Sequence, residues 1–131
     1  MGSRGTIHNE YIEKEGKAMN IQIFGKTKCN ETKKAERYFK ERNIKFQFID
    51  IDKYGLSKGE YESVKTAVGS MAVLIDENSK EYTNQYMSHL ANQEDAEERL
   101  LANPGMFKTP IVRNGKMATV GYKPEVWGAW I

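Results

Sequence analysis

The sequence predicts an α/β sandwich built on a four-stranded mixed sheet. Three observations carry this prediction: a strand–helix–strand run over residues 21–51, a helix-rich middle, and a hairpin followed by a helix at the C-terminal end.

The first strand is Ile21-Gln22-Ile23-Phe24, which alternates and stops at Gly25. A helix over Thr32 to Arg42 follows, with Ala35, Tyr38 and Phe39 on one side, charges opposite, and Asn43 as its C-cap. Ile44, Phe46 and Phe48 then alternate with polar residues, and Ile49 and Ile51 extend this second strand. So short a βαβ unit requires parallel strands and a right-handed crossover.

Ser57-Lys58-Gly59-Glu60 is a capping box, and Tyr61, Val64 and Val68 form the apolar stripe of the helix it opens, which ends near Gly69. Met71 to Gln85 reads as a surface loop with one anchoring contact. Further helices are expected over Tyr86 to Ala91 and over Glu94 to Ala102, the latter with Leu100 and Leu101 inward and Asn103-Pro104-Gly105 as its stop. Ile111 to Arg113 and Lys116 to Val120 form a hairpin around Asn114-Gly115, a pair suited to a type I′ turn. Pro124 opens a last helix carrying Trp127 and Trp130. The element order β-α-β, helices, β-β-α is thioredoxin-like.

Composition narrows the function classes. The 131 residues suit one domain, with 39% hydrophobic and 29% charged residues in a globular balance. No apolar run is long enough for a bilayer span. Twenty basic against eighteen acidic residues leave a charge of +2, which gives no reason to expect direct nucleic-acid binding. One cysteine excludes an internal disulfide framework and a Cys-rich zinc site, and the widely spaced His8 and His89 argue against a metal centre or a histidine triad. Residues 1–18 lack the apolar core of a secretory signal and read as a leader, either of cloning or mistranslated upstream origin or a native disordered arm. The domain is expected to span residues 19–131, with Met19 as the natural start.

Cys29 is the candidate catalytic residue. It follows the first strand where the first helix begins, a position whose unpaired amides and helix dipole favour a thiolate. Lys26, Lys28, Lys33 and Lys34 flank it and add positive potential if their side chains turn toward the sulfur. The bland alternative, a small buried hydrophobe, suits an apolar run better than this polar turn. Thr32, in place of a second cysteine, can donate a hydrogen bond to the sulfur or serve as a helix-start residue satisfying backbone amides. Without a resolving cysteine, a mixed disulfide on Cys29 requires an external thiol such as glutathione. Thr109-Pro110 precedes the third strand, where a thioredoxin-like layout turns the proline toward the cysteine.

Phe24-Gly25-Lys26-Thr27-Lys28-Cys29, Lys33-Lys34-Ala35 and Tyr38-Phe39 together resemble the opening of the arsenate-reductase-like (ArsC/Spx) branch of the thioredoxin superfamily. Lys108 to Lys116 and Val120 to Glu125 are similar to that family's closing strands and last helix. The resemblance covers nearly everything from Ile21 to Ile131. It implies a glutaredoxin-type core with an inserted helical section, a nucleophile at Cys29 and a cis bond before Pro110.

Glutathione-coupled arsenate reductases of that family carry arginines where this sequence has Thr83, Thr109 and Tyr122. Arginines hold an oxyanion by bidentate contacts, so their absence argues against arsenate as the substrate. Lys28, Thr32, Lys33, Lys108, Thr109, Pro110 and Arg113 are the candidate substrate- or thiol-binding residues. The expectation is a single-cysteine thiol oxidoreductase acting on a small thiol or oxyanion, with no bound cofactor, a glutathione-like thiol as co-substrate and no membrane partner. The family's Spx-type members bind the RNA polymerase α subunit, which supplies an alternative reading; their usual Cys-x-x-Cys switch is removed here by Thr32. A lone thiol and no secretory signal point to the cytoplasm of a bacterium.

Overall fold

A computed structural model of the chain describes residues 20–85, 87 and 92–131. The leader over residues 1–18, Met19, His89 and nearly all of the helix expected over Tyr86 to Ala91 lie outside the described residues.

Chain order among the described residues is β1 (Ile21–Gly25), α1 (Asn30–Glu41), β2 (Phe46–Asp50), α2 (Ile51–Tyr54), α3 (Lys58–Val68), α4 (Met71–Leu74), α5 (Lys80–Asn84), α6 (Gln93–Ala102), β3 (Ile111–Asn114), β4 (Met117–Val120) and α7 (Pro124–Trp130). A 3₁₀ turn over Pro104–Met106 links α6 to β3. The sheet order is β2-β1-β3-β4, with β1 and β2 parallel and the other pairs antiparallel. This is the thioredoxin-like, glutaredoxin-type sandwich that the sequence predicts, with helices inserted between its βαβ and ββα parts.

Both sheet faces are covered, and the alternation of each strand decides which residue goes where. Ile21, Ile23 and Val112 face α1 and α7, where they pack with Ala35, Phe39 and Trp127. Phe24 and Ile111 face the other way, into a core with Tyr61, Val64, Leu74 and Leu100. On α1 the buried positions Thr32, Ala35, Tyr38 and Phe39 recur at helical spacing. Asn43 has φ 58°, the left-handed conformation that Asn tolerates just past a helix end. The Ser57 capping box forms in both directions, with Ser57 N–H donating to Glu60 Oε1 at 2.9 Å and Glu60 N–H to Ser57 Oγ at 3.1 Å.

Four local expectations are corrected. Ile51 does not extend β2: Asp50 caps a short helix by accepting from the Asp52 amide at 3.0 Å, and Ile51 turns into the core. Met71 to Gln85 is not a loop with one anchor but contains α4 and α5. It is tied down by the Ile75–Phe107 bridge, by Asp76 N–H to Met106 O and by Lys108 N–H to Leu74 O, both 2.7 Å. The hairpin turns on Gly115-Lys116 rather than Asn114-Gly115, because Asn114 pairs with Met117. Gly115 has φ 61° and Lys116 no positive φ, so the turn has the II′ pattern with glycine first. Leu100 is fully buried, whereas Leu101 packs only partly against the core.

No helix among the described residues is long and apolar enough to cross a membrane.

Candidate functional site

β1 ends at Gly25, and the turn that follows delivers Cys29 as the N-cap residue of α1. Gly25 is required by close packing: a Cβ there would lie 2.4 Å from Thr32 Cγ2 and 2.6 Å from its Oγ1. The first turn of α1 therefore rests directly on the end of β1. Thr32 is buried there and accepts the Lys26 amide at 3.4 Å. Cys29 N–H donates to Lys26 O at 3.0 Å and closes the loop.

The Cys29 sulfur is half-buried and faces Thr109, the residue before the cis bond to Pro110. Thr109 Oγ1 donates to Cys29 Sγ at 3.3 Å, and the thiol can in turn donate to Thr109 O at 3.8 Å. Partial burial pushes the thiol pKa up, but the Thr109 and Thr32 hydroxyls and the Thr32 and Glu31 amides outweigh it. The net effect holds the thiol below its ordinary value of 9.0. The Thr32 and Glu31 amides belong to the first turn of α1, whose start Cys29 occupies as N-cap residue.

Cys29 lines two clefts. The larger, about 640 Å³, runs from Cys29 and Thr109 past Lys108 and Gly121 toward Val68 and Val126. The smaller, about 460 Å³, is lined by Lys26, Thr27, Lys28, Cys29 and Asp52.

The candidate residues of the sequence divide accordingly. Cys29, Thr32 and Thr109 meet at the sulfur, and Pro110, next to Thr109, is buried. Lys108 lines the larger cleft and Lys28 the smaller. Lys33 is exposed and lines neither; its amide donates to Cys29 O at 3.1 Å. Arg113 is not brought to the site: its Nε donates to Gly115 O at 3.3 Å, at the hairpin turn. The reason is register, since Ile111 pairs with the end of β1 nearest Cys29 and Arg113 with Gln22 farther back.

The lysines do not act on the sulfur as a group. Lys34 lies over the Tyr122 ring at 5.9 Å, and Lys26 Nζ donates to Gly105 O at 3.1 Å. The lowered thiol pKa rests on hydroxyls and amides instead. Tyr122, one of the positions where the resemblance called for arginine, packs edge-on against Trp127 with centroids 5.6 Å apart. Thr83 is exposed on α5.

Sequence reasoning passed over Glu31 and Asp76 and took Lys26 only as a flanking charge, yet all three line the larger cleft with Cys29. Lys26 carried a signal in its position between the strand and the cysteine. Asp76 carried none, since only the packing of the inserted helices brings it there. No group of three or more metal-ligating side chains occurs among the described residues.

The profile of the ArsC family matches residues 24–130, which takes in every element from the end of β1 to α7. The chain belongs to the ArsC family. Its fold is shared with the arsenate reductase of Vibrio cholerae, at TM-score 0.76 and 19% identity over 87% of this chain and 99% of that one. An ArsC family related protein from Bacteroides fragilis matches at TM-score 0.76 and 20% identity over the same shares. An arsenate reductase (ArsC) related protein from Brucella melitensis matches at TM-score 0.61 and 24% identity, over 86% of this chain and 95% of that one. Among curated proteins none matches.

Proposed function

We propose that this ArsC-family chain is a single-cysteine thiol oxidoreductase that works with an external low-molecular-weight thiol. The observation that carries the reading is Cys29, half-buried in the wall of a cleft, with its Sγ accepting from the Thr109 hydroxyl at 3.3 Å. A thiolate so favoured is the attacking species in disulfide exchange.

The Cys29 thiolate attacks the glutathione sulfur of a mixed disulfide, forming a Cys29–glutathione disulfide and breaking the original S–S bond. The released substrate sulfur leaves as a thiolate and takes a proton from solvent. The sequence holds no second cysteine to resolve the adduct, so a second glutathione thiolate attacks its glutathionyl sulfur. That step releases glutathione disulfide and restores the Cys29 thiolate; in sum one external glutathione is consumed, its sulfur oxidised to the disulfide as the substrate sulfur is reduced to the thiol. The Thr109 and Thr32 hydroxyls favour the ionised sulfur at the start and end of the cycle. Such a cycle suits a reducing bacterial cytoplasm.

An arsenate-directed reading lacks support at Thr83, Thr109 and Tyr122. The same departures favour a second reading, an Spx-like regulator of the RNA polymerase α subunit. The test is reduction of a glutathionylated peptide with glutathione as reductant. The oxidoreductase reading expects turnover, a glutathione adduct on Cys29 by mass spectrometry, and loss of both in Cys29→Ser. No adduct and no turnover, with retention of the α subunit in a pull-down by wild type and Cys29→Ser alike, would favour the regulator.

A further inference from the structure

We infer that Lys26 is a specificity-determining residue that holds a carboxylate of the thiol co-substrate, and that the cleft is built for a zwitterionic peptide thiol; this rests on the oxidoreductase reading above. Lys26 and Cys29 are the residues common to the two clefts, so a ligand that reaches Cys29 from either side lies against Lys26. The ammonium is positioned rather than free. One of its donors goes to Gly105 O at 3.1 Å, which leaves the others for a ligand. Even so, among the described residues Lys26 makes no ion pair, and the ion pairs present all involve Lys65.

The rest of the rim matches a particular kind of charge. Lys108 and Lys123 add cations to the larger cleft, and Glu31 and Asp76 add carboxylates. A simple oxyanion would face those carboxylates with no arginine to offset them. Glutathione instead has a carboxylate at each end and an ammonium beside one of them. Its carboxylates suit Lys26 and Lys108, and its ammonium suits the acidic side of the rim. A small neutral thiol would use none of these groups.

The experiment separates this inference from the reading beneath it by using S-methylglutathione, a thioether that cannot exchange. Its binding to the full chain is measured by calorimetry or by NMR titration. Binding to wild type is expected, weakened roughly fivefold in Lys26→Gln, the scale of one partly exposed charge contact. Lys26→Arg should restore most of it, and Lys116→Gln, at the far hairpin turn, should leave it unchanged. Absence of binding to wild type, equal binding by Lys26→Gln, or failure of Lys26→Arg to restore it would overturn the inference. Failure of the exchange assay with S-methylglutathione binding intact would instead overturn the oxidoreductase reading alone.

Discussion

Thr109 Oγ1 donates to Cys29 Sγ at 3.3 Å, joining residues that stand 80 positions apart in sequence. The contact exists because β1 and β3 pair, with Phe24 opposite Ile111, so the turns leaving one strand and entering the other meet at one end of the sheet. Topology, not local sequence, assembles the site.

Thr109→Val removes the hydroxyl while keeping the side-chain shape. The Cys29 pKa is expected to rise, because burial would then be opposed only by Thr32 and the helix amides. Ultraviolet absorbance of the thiolate against pH reads the shift, and Thr109→Ser should lie close to wild type. An unchanged titration in Thr109→Val would show that the hydroxyl does not act on the sulfur.

Gly25→Ala is expected to destabilise the fold by about 1–3 kcal/mol through overpacking against Thr32. A Cβ at 2.4 Å from Thr32 Cγ2 forces either α1 or β1 to shift. Thr32→Ala in the same chain should recover part of the loss. Urea denaturation midpoints of the single and double variants measure both effects.

The inserted helices carry their own charge tie. Glu97 accepts from the Tyr61 hydroxyl at 2.6 Å and from Lys65 Nζ at 2.7 Å, linking α3 to α6. The Lys65 ammonium and then the Tyr61 hydroxyl hold the Glu97 carboxyl below its ordinary 4.5. A carboxylate with a lowered folded-state pKa stabilises the fold above its unfolded value, and that contribution is lost as pH falls through the folded value. Glu97→Gln should therefore be less stable than wild type at neutral pH, with the gap closing in acid below pH 4.5. Denaturation midpoints across that range check the sign, and a gap independent of pH would contradict it.

The elements with a strong local period were legible in the sequence. The apolar stripe of α1, the Ser57 box and the Pro124 helix start each depend on neighbours within a turn, so they could be read without the fold. The stretch from Met71 to Gln85 was not legible, because helices of four and five residues carry too few turns to show a period. They persist through distant contacts such as Lys108 N–H to Leu74 O. The hairpin was misplaced by one residue for a related reason. Asn114 is drawn into β3, where its buried side chain accepts the Asn20 amide at 3.2 Å. At the site, Cys29, Thr32 and Thr109 were legible from their place in the element order. The destinations of the lysines were not, since the Gly105 carbonyl and the Tyr122 ring that receive Lys26 and Lys34 lie far along the chain.

The proposed chemistry requires an accessible sulfur that ionises more readily than an ordinary thiol. The most direct measurement is the rate of Cys29 alkylation by iodoacetamide across pH, read by mass spectrometry on the native protein. A single titration with its midpoint below 9.0 and complete modification of the folded chain are expected. A midpoint at or above that value, or a sulfur that reacts only after denaturation, would contradict it.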